Sequence, residues 1–114
     1  MSANELSGEI RSALALLGLA RRAGALVVGQ DQVFRALKSG GGLFIVASED
    51  CAHNVIRKTE NPKCELRLVG GLSRTDLGGA IGVGSAQIAA LPLGSGFAKK
   101  LKELLKISGG AINE

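Results

Sequence analysis

Leu43-Phe44-Ile45-Val46-Ala47 is an unbroken apolar run, and its reading decides the fold class. A strand with one face in water alternates apolar with polar residues, whereas a strand covered on both faces has no such need. The run therefore reads as the centre of a sheet with helices on either side. Gly40-Gly41-Gly42 bounds it toward the N-terminus. Before those glycines, Val33, Ala36 and Leu37 repeat at helical spacing between Gln30 and Ser39. Ahead of that helix Leu26-Val27-Val28 is a short β-rich run that Gly29 ends. Further out, Ile10, Leu14 and Leu17, extended by Ala20 and Ala23, mark a first helix from about Ser7 to Ala23, stopped by Gly24.

On the C-terminal side, Ser48 is placed to cap a third helix with Glu49 and Asp50 in its first turn, running to Lys58 or Thr59. Asn61-Pro62 breaks it, and Glu65-Leu66-Arg67-Leu68-Val69 alternates like a strand near a sheet edge, ended by Gly70-Gly71. Ser73-Arg74-Thr75-Asp76 has capping-box spacing ahead of a short helix through Ala80. Gly82 to Ser85 reads as a loop, Ile88 to Leu91 as a fourth strand closed by Pro92. Ser95 caps a final helix whose Phe97, Leu101, Leu104 and Leu105 form one stripe. Helices and strands alternate throughout, which specifies an α/β protein built as a three-layer α/β/α sandwich. At 114 residues the chain is one domain, with a core over about 7–106 and loose ends at 1–6 and 107–114.

Composition narrows the function. No run approaches the roughly 18 apolar residues of a membrane span. The apolar stretch Ala13 to Ala20 is preceded by Glu5 and Glu9, not by the basic start of a secretory signal, so a cytoplasmic location without membrane association is expected. Two cysteines, Cys51 and Cys64, make no disulfide framework and are expected as free thiols. A net charge of +4 favours a polyanionic partner. Three Phe with neither Trp nor Tyr are too few for a stacking platform of the usual single-strand kind, so the shape and base edges of structured nucleic acid are the better target.

Chemical motifs are mostly absent. No glycine is followed by lysine, which removes a phosphate-binding P-loop, and Gly82-Val83-Gly84 lacks the third glycine and the following helix of a dinucleotide fingerprint. Cys51, His53 and Cys64 lack a fourth ligand and the paired spacing of structural zinc. Cys51 and His53, two apart on the presumed third helix, would point to different sides, so a nucleophile pair is not expected. The expectation is no catalytic residues, no metal and no cofactor. The basic residues are better placed: Arg21 and Arg22 end the first helix, and Arg35 and Lys38 lie on the second. That second helix opens with Gly29-Gln30-Asp31-Gln32, small and amide residues around free backbone N–H groups. Such an end can dock on phosphates and reach base edges.

The line from Leu16-Leu17-Gly18-Leu19-Ala20-Arg21-Arg22-Ala23-Gly24 through Gly29-Gln30-Asp31-Gln32-Val33-Phe34-Arg35-Ala36-Leu37 resembles the kink-turn RNA-binding superfamily of large-subunit ribosomal proteins, the seven-Ae and thirty-e group, and most of all its short bacterial members. Leu77-Gly78-Gly79-Ala80-Ile81-Gly82 is similar to its Leu-Gly-x-Ala-x-Gly signature, and Gly96-Phe97-Ala98-Lys99-Lys100-Leu101 to the bacterial ending. The resemblance implies a four-stranded mixed sheet between helices and the binding of ribosomal or other kink-turn RNA, at the ribosome or elsewhere in translation. It places the family's Gly-x-Asn-Glu-x-x-Lys pattern on Gly29, Gln30, Asp31, Gln32 and Arg35, and a second contact on Val83, Gly84, Ser85, Ala86 and Gln87, the loop that covers a flipped-out base. Arg21, Arg22, Arg35 and Lys38 would then position phosphates. Asp31 departs from the family Asn, Gln32 from the family Glu, and Ala25 from a basic residue many members carry after the glycine. These departures leave open an alternative, a ribosome-associated or protein-interaction module of the same fold without kink-turn specificity.

Overall fold

The computed structural model describes residues 8–108, with side chains over 8–105. The elements run α1 (Gly8–Arg22), β1 (Val27–Val28), α2 (Gly29–Lys38), β2 (Leu43–Ser48), α3 (His53–Lys58), β3 (Glu65–Val69), α4 (Arg74–Ile81), β4 (Ile88–Pro92) and α5 (Gly96–Ser108). The final helix thus continues past the expected end of the core. Residues 1–7 and 109–114, which hold most of the expected loose ends, lie outside the described residues.

The sheet order is β1-β4-β2-β3, with β2 parallel to β3 and β4 antiparallel to both β1 and β2. It is the mixed, four-stranded sheet expected, with β2 inside and β3 at the edge. All six residues of β2 are buried, as its unbroken apolar run requires. Side-chain alternation sorts them to two faces. Phe44 and Val46, with Ala89 and Leu91 of β4, pack against α1, α4 and α5 through residues such as Leu17, Leu77 and Leu101. Leu43, Ile45 and Ala47, with Ile88 and Ala90, pack against α2 and α3 through Val33 and Val55.

Two caps form as their sequences specify. Ser73 Oγ accepts from Asp76 N at 3.0 Å at the start of α4, and Ser95 Oγ accepts from Ala98 N at 3.0 Å in the first turn of α5. The third helix differs from expectation. Ser48 closes β2, a turn follows, and α3 begins only at His53 with Ala52 as an N-cap that offers no side-chain bond. Tertiary contacts claim the two residues expected in its first turn: Glu49 N donates to Leu72 O at 2.7 Å, the Glu49 carboxylate accepts from Gly71 N, and Asp50 turns to Arg74. Cys51 therefore precedes the helix that was expected to contain it.

Candidate nucleic-acid interface

Strand register creates the site. Val28 pairs with Ala89 in the antiparallel β1–β4 ladder, so the residues just after β1 lie beside those just before β4. The start of α2 consequently meets the loop over residues 82–87 in a cleft of about 380 Å³. Gly29, Gln30, Asp31 and Gln32 line it from α2, and Ser85, Ala86 and Gln87 from the loop. Val28, at the end of β1, and Arg74, from the first turn of α4, complete the lining.

The turn into α2 needs glycine for its backbone, since Gly29 has φ +80°, a conformation L side chains rarely adopt. Val28, the N-cap, supplies no side-chain bond to the helix. Gln32 partly compensates, its Oε1 accepting from Val28 N at 3.2 Å. That bond occupies the amide carbonyl and leaves the NH2 group as a donor beside the cleft. Asp31 is exposed in the first turn, where the helix dipole favours a carboxylate.

The opposite wall is held by contact with α4. A side chain at Gly78 would place its Cβ 2.4 Å from Ser85 Cα, so the loop lies directly on the helix. Val83 N donates to Gly78 O at 2.8 Å and Ala86 N to Arg74 O at 3.0 Å. At the end of the loop, Gln87 O accepts from Ser48 N at 2.9 Å and Gln87 Oε1 from Ala52 N at 2.7 Å. Gln87 thereby joins this wall to the start of α3.

Arg74 was not singled out by sequence reasoning beyond its place in a capping motif. Asp50, across 24 positions, holds it: Arg74 N donates to Asp50 Oδ1 at 3.1 Å, Nη2 to Asp50 O at 2.7 Å, and Nε lies 3.5 Å from Oδ2. The buried Ser48 hydroxyl makes no hydrogen bond of standard geometry. It nonetheless lies near enough to be the main influence lowering the Asp50 carboxyl below its ordinary range, against partial burial and with help from the Arg74 N–H and charge. Burial pushes the neighbouring Cys51 thiol up, with Arg74 pulling it down and Asp50 adding to the rise. A raised thiol is a poor nucleophile near neutral pH.

The remaining expected site residues are scattered around this cleft. Arg35 is exposed one turn along α2. Lys38 lines a separate groove with Phe34, Leu37 and Lys58. Arg21 Nη1 donates to Ile81 O at 2.9 Å, at the far end of α4, and Arg22 is exposed beside it. Val83 is half-buried against the larger core cluster, while Gly84 is exposed. Cys64 Sγ accepts from Leu43 N at 3.4 Å. Among the described residues, no three His, Cys, Asp or Glu come together as metal ligands, and no helix is long and apolar enough to cross a membrane.

Relatives share this architecture. The chain is 34% identical over 93 residues to the RNA-binding protein YlxQ of Bacillus subtilis, spanning 79% of this chain and 91% of that protein. A solved structure of a protein of unknown function from Bacillus halodurans C superposes with TM-score 0.71 at 31% identity, covering 82% of this chain and 96% of the other. The Giardia lamblia 15.5kD RNA binding protein shares the fold at 14% identity, with TM-score 0.67 over 94% of this chain and 92% of the other. The profile of the ribosomal protein L7Ae/L30e/S12e/Gadd45 family matches residues 11–102, and the chain belongs to that family.

Proposed function

We propose that this protein is a non-catalytic RNA-binding protein of the cytoplasm that holds structured, kink-turn-like RNA in the cleft between α2 and the loop before β4, in association with the ribosome or translation. The observation that carries the reading is the convergence of Gln30, Asp31, Gln32, Arg74 and Ser85 to Gln87 on one cleft. Their chemistry suits a bent RNA: amide groups for base edges, an arginine for phosphate, and a loop to cover an unstacked base. Family membership and the name of the Bacillus subtilis relative support it. Arg35 extends the phosphate contacts along α2, with Arg22 and Lys38 further out.

A titration of one kink-turn RNA and one plain duplex of equal length, at a single salt concentration, tests the proposal. We expect the kink-turn to bind at least about tenfold more tightly, the worth of one good base contact. Equal affinity would favour the second reading, a ribosome-associated or protein-interaction module without kink-turn specificity. The observation on its side is the exposed Asp31 carboxylate, which accepts hydrogen bonds and donates none.

A further inference from the structure

A second concavity, about 440 Å³, lies between the C-terminal ends of α2 and α3. Phe34 and Leu37 give it an apolar floor, and Lys38 and Lys58 are its only charged lining residues among those described. Lys58 Nζ lies over the Phe34 ring at 5.5 Å from its centroid. Each lysine alone is accounted for by the dipole of its own helix, since both stand in last turns. That account does not explain why two lysines from different helices share an aromatic-floored groove.

We infer that this groove takes an unpaired nucleotide flanking the bound RNA, its base on Phe34 and Leu37 and its phosphates on Lys38 and Lys58. The inference rests on the RNA reading of the cleft. Continuity favours RNA over an acidic peptide, which would satisfy the lysines equally well. Asp31, Phe34, Arg35 and Lys38 follow one another at helical spacing, so the cleft and the groove lie on one side of α2, about 10 Å apart along its axis. A strand leaving the cleft passes the exposed Arg35 and arrives at the groove. Lys58 is exposed on a long side chain of several rotatable bonds, so it can leave the ring for a phosphate as the base takes its place.

The test compares a kink-turn hairpin with the same hairpin carrying a short unpaired adenosine flank at its 5′ or 3′ end. One of the two flanks should raise affinity roughly 5- to 50-fold. Phe34→Leu should remove most of that gain. Lys58→Gln should reduce it and lower the salt-dependence slope for the flanked RNA by about 0.7, while affinity for the unflanked hairpin stays the same. Tight hairpin binding with no gain from either flank overturns the groove assignment alone. Failure to bind any of these RNAs overturns the cleft reading together with it. If an aspartate-rich peptide carrying one leucine shifts the NMR signals of Phe34 and Lys58 while the flanked hairpin does not, the groove belongs to a protein partner and the RNA assignment is wrong.

Discussion

Asp31 and Gln32 divide the work at the start of α2 unequally. Gln32 spends its carbonyl on Val28 N and keeps its NH2 free beside the cleft, whereas the exposed Asp31 carboxylate would offer acceptors only to the RNA proposed there. Two effects of Asp31 oppose each other, attraction to the helix dipole and repulsion from RNA. A restored base contact is worth about 1–3 kcal/mol against about 0.3–1 kcal/mol for the dipole. Asp31→Asn should therefore tighten kink-turn RNA binding roughly 5- to 100-fold, with a smaller gain on plain duplex. Equal gains on both RNAs would mean that Asp31 acts only through its charge. Asp50 behaves differently, because its partner is within the chain. Its carboxyl is held below the ordinary value of 3.8, so the stability it contributes is complete above that pH and is lost as pH falls through the lowered value. Asp50→Asn should flatten part of the acid-induced loss of melting temperature below pH 3.8 and leave the slope above it unchanged. An unaltered acid limb would place the loss in other carboxylates.

Elements meet in the cleft because α4 and the loop beside it approach without side chains between them. Gly78 is the contact point, and the Leu77-Gly78-Gly79-Ala80 stretch has a physical meaning there: a Cβ at Gly78 would strike Ser85 backbone, while one at Gly79 would meet nothing within 4 Å. Gly78→Ala should destabilise the protein by about 1–3 kcal/mol in urea unfolding and weaken RNA binding by displacing the loop. Gly79→Ala, in the same helix, should be neutral or stabilising by about 0.5–1 kcal/mol with RNA affinity retained. Matching losses from both would point to helix α4 itself rather than to its contact with the loop. Most of the fold is legible in the sequence. Every element was readable, since periodicity and the Ser73 and Ser95 caps are local signals. The start of α3 was misread because Ser48, Glu49 and Asp50 have capping chemistry, yet Ser48 closes β2, and partners at Leu72, Gly71 and Arg74 outcompete the helix for Glu49 and Asp50. Arg74 was missed as a cleft residue for the same reason, its position being set by Asp50 across a long separation.

At the scale of the molecule, the sheet separates two packed faces, and the cleft lies where they meet. Its α2 wall rises from the face covered by α2 and α3, its loop wall from the face covered by α1, α4 and α5. Cations on these two faces are therefore not equivalent, although composition counts them together in the net charge of +4. Arg21 sits at the end of α4 remote from Arg74, with its guanidinium donating to Ile81 O, one of the carbonyls that end that helix. Arg35 has no such duty on its exposed turn of α2. Each phosphate neutralised contributes about 0.9 to the magnitude of the slope of log affinity against log salt, while a charged hydrogen bond of the Arg21 kind contributes about 1–3 kcal/mol to folding. Arg35→Ala and Arg74→Ala should each lower the slope by about one. Arg35→Ala should leave the melting temperature unchanged, and Arg74→Ala should also cost stability through the loss of Asp50 as a partner. Arg21→Ala should do the reverse of Arg35→Ala, lowering the urea midpoint with the slope intact. A slope that falls for Arg21→Ala and not for Arg35→Ala would move the phosphate contacts from the α2 wall toward Arg21 and Arg22 at the end of α1.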